Sequence, residues 1–224
     1  MAAPIMVAAL ALAFAAGSVR ADERETVAAR IYDTVGLPED HRETMLRVAT
    51  DALSPAGIQM AWTHCVEING VDCPSPHGGA ILVRIVERHG GADSGRCGFA
   101  MVERGHGFVS LALDCAERTL QSLERRWMPL DLQPLSTGEV LGYLLAHEIA
   151  HVLLPGAEHS VRGLFKARLH ARDWKAVRRQ GLTFSPEDVA RLREAAFVLA
   201  VSRAQDGSHV STRTTRTPAT RSDR

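Results

Sequence analysis

Residues 147–151 read His-Glu-Ile-Ala-His, and another histidine, His159, lies eight positions beyond the second. Residues four apart on a helix stand one above the other on the same face. Imidazoles at His147 and His151 can therefore offer nitrogens to one zinc ion at about 2.0–2.1 Å each. Glu148 sits one residue past the first histidine. Its carboxylate is expected to reach past the metal to a bound water and to serve as the general base in amide hydrolysis. In this arrangement Glu148 is a base and not a ligand.

Two ligands do not complete a catalytic zinc site, which takes three protein ligands and keeps one position open. Leu154-Pro155-Gly156 ends the helical pattern, and a sharp turn at Gly156 would bring the following residues back to the metal. His159 and Glu158 compete for the third position, with Glu187 a more distant candidate.

The helix that carries the motif is predicted from about Thr137 to Leu154. Ser136-Thr137-Gly138-Glu139 forms a capping box at its start, the serine hydroxyl accepting from first-turn amides while the glutamate reaches back. Leu144, Leu145, Ile149 and Val152 surround the motif, so this helix is expected to be largely buried. Two histidines and a carboxylate in such a place need partners, and a metal provides them. Tyr143, one turn earlier, is read as core. His64 and His106 are read as loop residues, and His170 and Asp173 as possible outer partners of the ligands.

Upstream, residues 25–53 read as two helices, the second opened by Pro38-Glu39-Asp40 with Met45, Leu46, Ala49 and Leu53 at helical spacing. The period then changes. Ile58, Met60 and Trp62 alternate, and Ala80–Val86, Gly98–Val102 and Phe108–Leu113 are β-rich runs separated by glycine turns, including Gly78-Gly79 and Gly105-His106-Gly107. A sheet of about four strands with a hairpin between Gly98 and Leu113 follows. A last helix is predicted from Ser185, with Pro186 at its first position and Phe184 and Val189 placed for a hydrophobic staple.

The first 21 residues read as a cleavable signal peptide: Ile5–Ala16 is almost wholly apolar, no acid precedes Asp22, and Val19-Arg20-Ala21 suits a signal peptidase. That run is too short to span a bilayer, so no stable membrane anchor is expected. Export places the four cysteines in an oxidising compartment, with Cys65–Cys73 and Cys97–Cys115 the favoured pairs because each closes a local segment. Residues 22–203 are expected to form one domain and 204–224 a disordered Ser/Thr/Arg-rich tail. Lys+Arg and Asp+Glu both number 26, so no electrostatic case exists for a nucleic-acid partner; the expected partner is a peptide or protein substrate. Nothing in the sequence specifies the oligomeric state.

The segment HEIAHVLLPGAEHS resembles the extended zinc motif of metzincin-type metallopeptidases, HExxHxxGxxH. It is closer to a group of uncharacterised bacterial exported proteins carrying HEIGHLLLxxxxHSxxGLM-(K/R)-A. The chain matches that pattern at His147, Glu148, His151, Leu153, Leu154, His159, Ser160, Gly163, Leu164, Lys166 and Ala167. A looser likeness reaches back through Ala56-Gly57-Ile58, Trp62, Cys65 and Arg84-Ile85 to Gly98-Phe99-Ala100. The resemblance implies that His159 is the third zinc ligand, ahead of Glu158. It also implies an α+β, zincin-like fold: a small mixed sheet packed with the active-site helix, plus N- and C-terminal helices. Two departures stand out. The gap from His151 to His159 is two residues longer than in metzincins, and Phe165 replaces the methionine that would form an apolar floor beneath the histidines. The implied activity is that of an exported zinc endopeptidase. The alternative is a catalytically weak zinc-binding protein, a pseudo-peptidase acting as a binding module.

Overall fold

The computed structural model describes residues 25–65, 73, 80–91, 96–127 and 134–210. The expected signal segment, the Gly78-Gly79 turn and the chain beyond Val210 lie outside these residues. Among the described residues five strands and five α-helices form an α+β fold: β1 (Glu25–Asp33), α1 (Glu39–Leu53), β2 (Ile58–Cys65), β3 (Ile81–Val86), β4 (Gly98–Glu103), β5 (His106–Ala112), α2 (Leu113–Trp127), α3 (Thr137–Leu153), α4 (Ala171–Gln180) and α5 (Pro186–Val210). The mixed sheet has the order β2-β1-β3-β5-β4, with only the β4–β5 pair antiparallel.

Residues 25–33 are a strand, not the first of two expected helices. Val27, Ala29 and Ile31 are all buried, while the residues between them are not, a period of two. Alanine content favours a helix here. Parallel pairing with β2 on one side and β3 on the other outweighs that local preference. Asp33 then closes the turn into α1, its carboxylate accepting from the amides of Val35, Gly36 and Leu37 at 2.7–3.0 Å.

Helices α1 and α3 pack on one another, and α3 also lies against β4 and β5. At Gly142 the α1 backbone comes so near that an added Cβ would lie 2.8 Å from the Met45 carbonyl oxygen. The core forms where α1 and α3 meet the buried strand residues, among them Ile31, Val83, Ile85, Val109, Leu111, Leu141, Leu145 and Ile149. The capping box at Ser136 is formed, with Glu139 N donating to Ser136 Oγ at 3.1 Å and Ser136 N to Glu139 Oε2 at 2.7 Å.

The expected hairpin joins β4 to β5 through Arg104 (φ 50°) and Gly105 (φ 79°), a two-residue turn of the kind that matches strand twist. His106 and Gly107 therefore belong to β5, and His64 to β2, rather than to loops. Both favoured disulfides are present, Cys65–Cys73 and Cys97–Cys115, with Cα–Cα distances of 5.5 and 5.0 Å. Helices α2 and α4 are additional to the expected set. Helix α5 continues to Val210, past the expected domain end at 203, because each added helical residue gains a backbone bond once the helix is nucleated. None of the described helices is long and apolar enough to cross a membrane.

Candidate metal centre

The HExxH segment occupies the last turns of α3, where the helix passes from the core to a cleft. His147 is 9% exposed and Glu148 6%, whereas His151 is half-buried and His159 exposed. The turn expected after the helix is made by Pro155 and Gly156 (φ 74°), a left-handed conformation that glycine adopts without steric cost. It returns the chain so that His159 Nε2 lies 2.9 Å from His151 Nε2, itself 3.2 Å from His147 Nε2. The three histidines place one ring nitrogen each within 4.8 Å of one another, and they could hold a metal ion. Ligands about 2.0–2.1 Å from a tetrahedral zinc are separated by about 3.3 Å, close to the spacing seen here.

The donor chemistry fits a cation. His147 Nδ1 lies 2.9 Å from the Leu164 carbonyl oxygen, which can only accept, so the proton sits on Nδ1 and the Nε2 lone pair faces the other rings. Burial holds His147 toward its neutral form, against the opposing effect of the bond to Leu164 and with a smaller contribution from His159. Burial first, and the His147 and His159 rings next, push His151 down to about 4. Neutral imidazoles with converging lone pairs are what a divalent metal requires. The competing carboxylates stand apart: Glu158 is exposed and outside the cluster, and Glu187 pairs with Arg162 at 2.9 Å.

Phe165 is fully buried and lies beneath all three rings, with centroid distances of 5.4, 4.7 and 5.6 Å to His147, His151 and His159. It fills the floor where a methionine was expected. The anticipated outer partners do not touch the histidines. Asp173 instead accepts from Lys166 Nζ at 2.7 Å and from the His170 amide. Tyr143 packs edge-on against Trp174, as a core residue.

Two supports for the cluster carry no local sequence signal. Asp188, 1% exposed in the first turn of α5, accepts from Ser160 Oγ at 2.6 Å and from Ser185 Oγ at 2.8 Å. Ser160 also donates its amide to the Phe165 carbonyl, and Leu164 donates its amide to Thr183, so the arm bearing His159 is tied down on both sides. In sequence, Asp188 reads only as a first-turn acid three residues after a capping serine. Its bond to a residue 28 positions earlier cannot be read locally. Ser160→Ala is expected to weaken divalent-metal affinity about 10-fold or more and, by taking a donor from the buried Asp188 carboxylate, to cost about 1–3 kcal/mol of stability in the metal-free protein. Ser185→Ala removes a helix cap and is expected to cost about 1 kcal/mol of stability while leaving metal affinity in place. Isothermal titration and thermal melts of both variants check this contrast.

Gly98, the first residue of β4, is the second support. A Cβ there would lie 2.8 Å from Glu148 Oε1 and 2.9 Å from its Cγ, so the strand backbone covers the carboxyl group directly. That burial raises the Glu148 pKa to about 7, against a smaller downward pull from the Arg96 guanidinium. The cleft beside it measures about 810 Å³ and is lined by β4, the histidines and the 166–169 segment.

The chain matches no protein-family model and no curated protein. What fold and site define together is an α+β protein with two disulfides and a three-histidine cluster able to hold a metal ion beside a buried carboxyl group.

Proposed function

We propose that this protein is an exported, zinc-dependent endopeptidase with a zincin-like fold, its metal held by His147, His151 and His159 and its general base supplied by Glu148. The observation that carries this reading is the convergence of three imidazole nitrogens beside a desolvated carboxyl group, at the floor of a cleft bordered by an edge strand. Two disulfides suit an oxidising compartment, which agrees with the signal-like N-terminus.

When bound, zinc supplies Lewis acidity at the cleft floor. The protein's own groups do the rest. Among the described residues β4 pairs only with β5, so its outer edge is free to take an extended peptide as an added strand. Glu148 takes a proton from the attacking water and passes it to the leaving amine. In the metal-free protein burial raises this carboxyl group to a pKa of about 7, which favours accepting a proton near neutrality; a bound cation beside it would draw that value down. The backbone at Gly98 and the buried position of Glu148 exclude water from the side of the carboxyl group away from the substrate.

Protein purified without a histidine tag is expected to contain about one zinc per chain. It should cleave internally quenched peptides, lose that activity to a chelator, and regain it with zinc. Metal-free protein at every stage of purification would refute the site. Stoichiometric zinc with no hydrolysis of any peptide would favour the binding-module alternative. Gly98→Ala is expected to lower kcat by about 10- to 100-fold, because the added methyl group must displace Glu148 and misplacement of about 1 Å carries such a cost. KM should move far less, and unaltered kcat would show that β4 does not position the base.

A further inference from the structure

The cleft carries an uneven distribution of charge. Among its described lining residues Glu148 is the only carboxylate, against Arg96, Lys166 and Arg168. Lys166 is spoken for: its ammonium sits 2.7 Å from Asp173, and both side chains are largely shielded. Arg168 is exposed and lines the cleft within the 166–169 segment. Arg96 is exposed just ahead of the first residue of β4, near enough to Glu148 to favour its charged form. Arg96 and Arg168 thus both border the cleft that holds the histidine cluster. Guanidinium is a planar, permanently charged fork that matches a carboxylate in a bidentate fashion. The exposed β4 side chains that line the cleft, Met101 and Val102, are apolar, and the exposed Glu103 at the far end of the strand lies outside that lining.

We propose that this cleft selects peptides bearing an aspartate or glutamate side chain within about three residues of the cleaved bond, with Arg168 as the specificity-determining contact. The proposal rests on the peptidase reading for its location, but it concerns peptide recognition and can be tested by binding alone. Specificity of this kind follows from differential affinity: the acidic peptide gains a charge-assisted contact, and a lysine peptide meets like charge.

The test uses the full-length, zinc-loaded protein and C-terminally amidated peptides that differ only in Glu, Gln or Lys at each of three positions on either side of the cleaved bond. At one or more positions, kcat/KM for the Glu peptide is expected to exceed that for Gln by about 10-fold, and that for Lys by more. Arg168→Gln should bring the Glu/Gln ratio near one, and Arg168→Glu should invert the Glu/Lys preference. The preference should also shrink as salt rises. In parallel, Glu148→Gln protein is titrated with rhodamine-labelled versions of the same peptides, read by fluorescence polarisation. Equal handling of Glu and Gln peptides in both measurements would overturn the proposal, as would a preference seen only in peptides with a free terminal carboxylate. If no peptide is cleaved, the peptidase reading falls and the binding titration alone decides: tighter binding of Glu peptides that Arg168→Glu removes supports the anionic site, and equal affinities refute it.

Discussion

Glu148→Gln is expected to abolish hydrolysis while making the metal-free protein more stable. Loss of a positioned general base costs on the order of 10²- to 10⁴-fold in rate. The amide keeps the shape of the side chain under Gly98 but cannot take a proton, so zinc content should stay near that of the wild type. The stability gain has a separate origin. Glu148 is 6% exposed, and burial raises its pKa from 4.5 to about 7. Between those values the folded state binds more protons than the unfolded state, so stability falls as pH rises through that window. Below about pH 4.5 the acid is neutral in both states and the penalty vanishes. Well above pH 7 the penalty is complete, on the order of 3 kcal/mol. Glutamine carries no such term. The melting temperature of metal-free Glu148→Gln should therefore match the wild type near pH 4 and exceed it by roughly 5–10 °C at pH 8. Full hydrolytic activity in this variant would remove Glu148 from the role of base. An unchanged melting difference across the pH range would show that the carboxylate is not desolvated as its surroundings indicate.

His159→Ala is expected to lower zinc affinity by about 100-fold or more, since each ligand accounts for roughly 3 kcal/mol of a site worth about 10–16 kcal/mol. His159 is exposed, on an arm held by Ser160 and the 164–165 backbone, so the metal-free variant should melt close to the metal-free wild type. His147→Ala behaves differently. That ring is nearly buried and bonded to the Leu164 carbonyl, so its loss should remove the metal and also leave a cavity against Phe165. Acid should act on the same cluster. The folded-state pKa of His151 is about 4, below its ordinary 6.5. In that interval the unfolded chain binds the extra proton, so the metal-free protein loses stability as pH falls from about 6.5 toward 4. Bound metal opposes this by holding the rings neutral, and is released once protons outcompete it. Chelator should thus lower the melting temperature of the wild type and leave that of His159→Ala unmoved. Equal zinc affinity in the two proteins would mean that residue 159 is not a ligand.

Several features were legible because the forces that make them are local. The spacing of His147 and His151 places both rings on one helix face whatever surrounds that helix. Ser136 and Glu139 cap it within a single turn, a hairpin joins neighbouring strands between Gly98 and Leu113, with its turn at Arg104-Gly105 rather than at residues 105–107, and each disulfide joins cysteines no more than 18 residues apart. Pro186 and Phe184 likewise marked the start of α5.

Where the partner is distant in the chain, the same reading ran out. Residues 25–33 have a local preference for helix, and only β2 and β3, whose paired residues lie 33 and 52 positions downstream, make them a strand. The identity of the third metal-facing side chain was open between Glu158 and His159 from the residues alone. The path of the chain after Gly156, held by the bond from Ser160 to Asp188 and by Leu164 on Thr183, turns the histidine inward. Gly98 read as an ordinary strand start, yet its missing side chain is what lets an edge strand press on Glu148 and shift its proton affinity. Sequence alone determined which chemical groups are present and how the helix bearing them presents two of them. Tertiary structure decided which third group joins them and how much water the carboxylate keeps, because both depend on contacts between segments that no local spacing encodes.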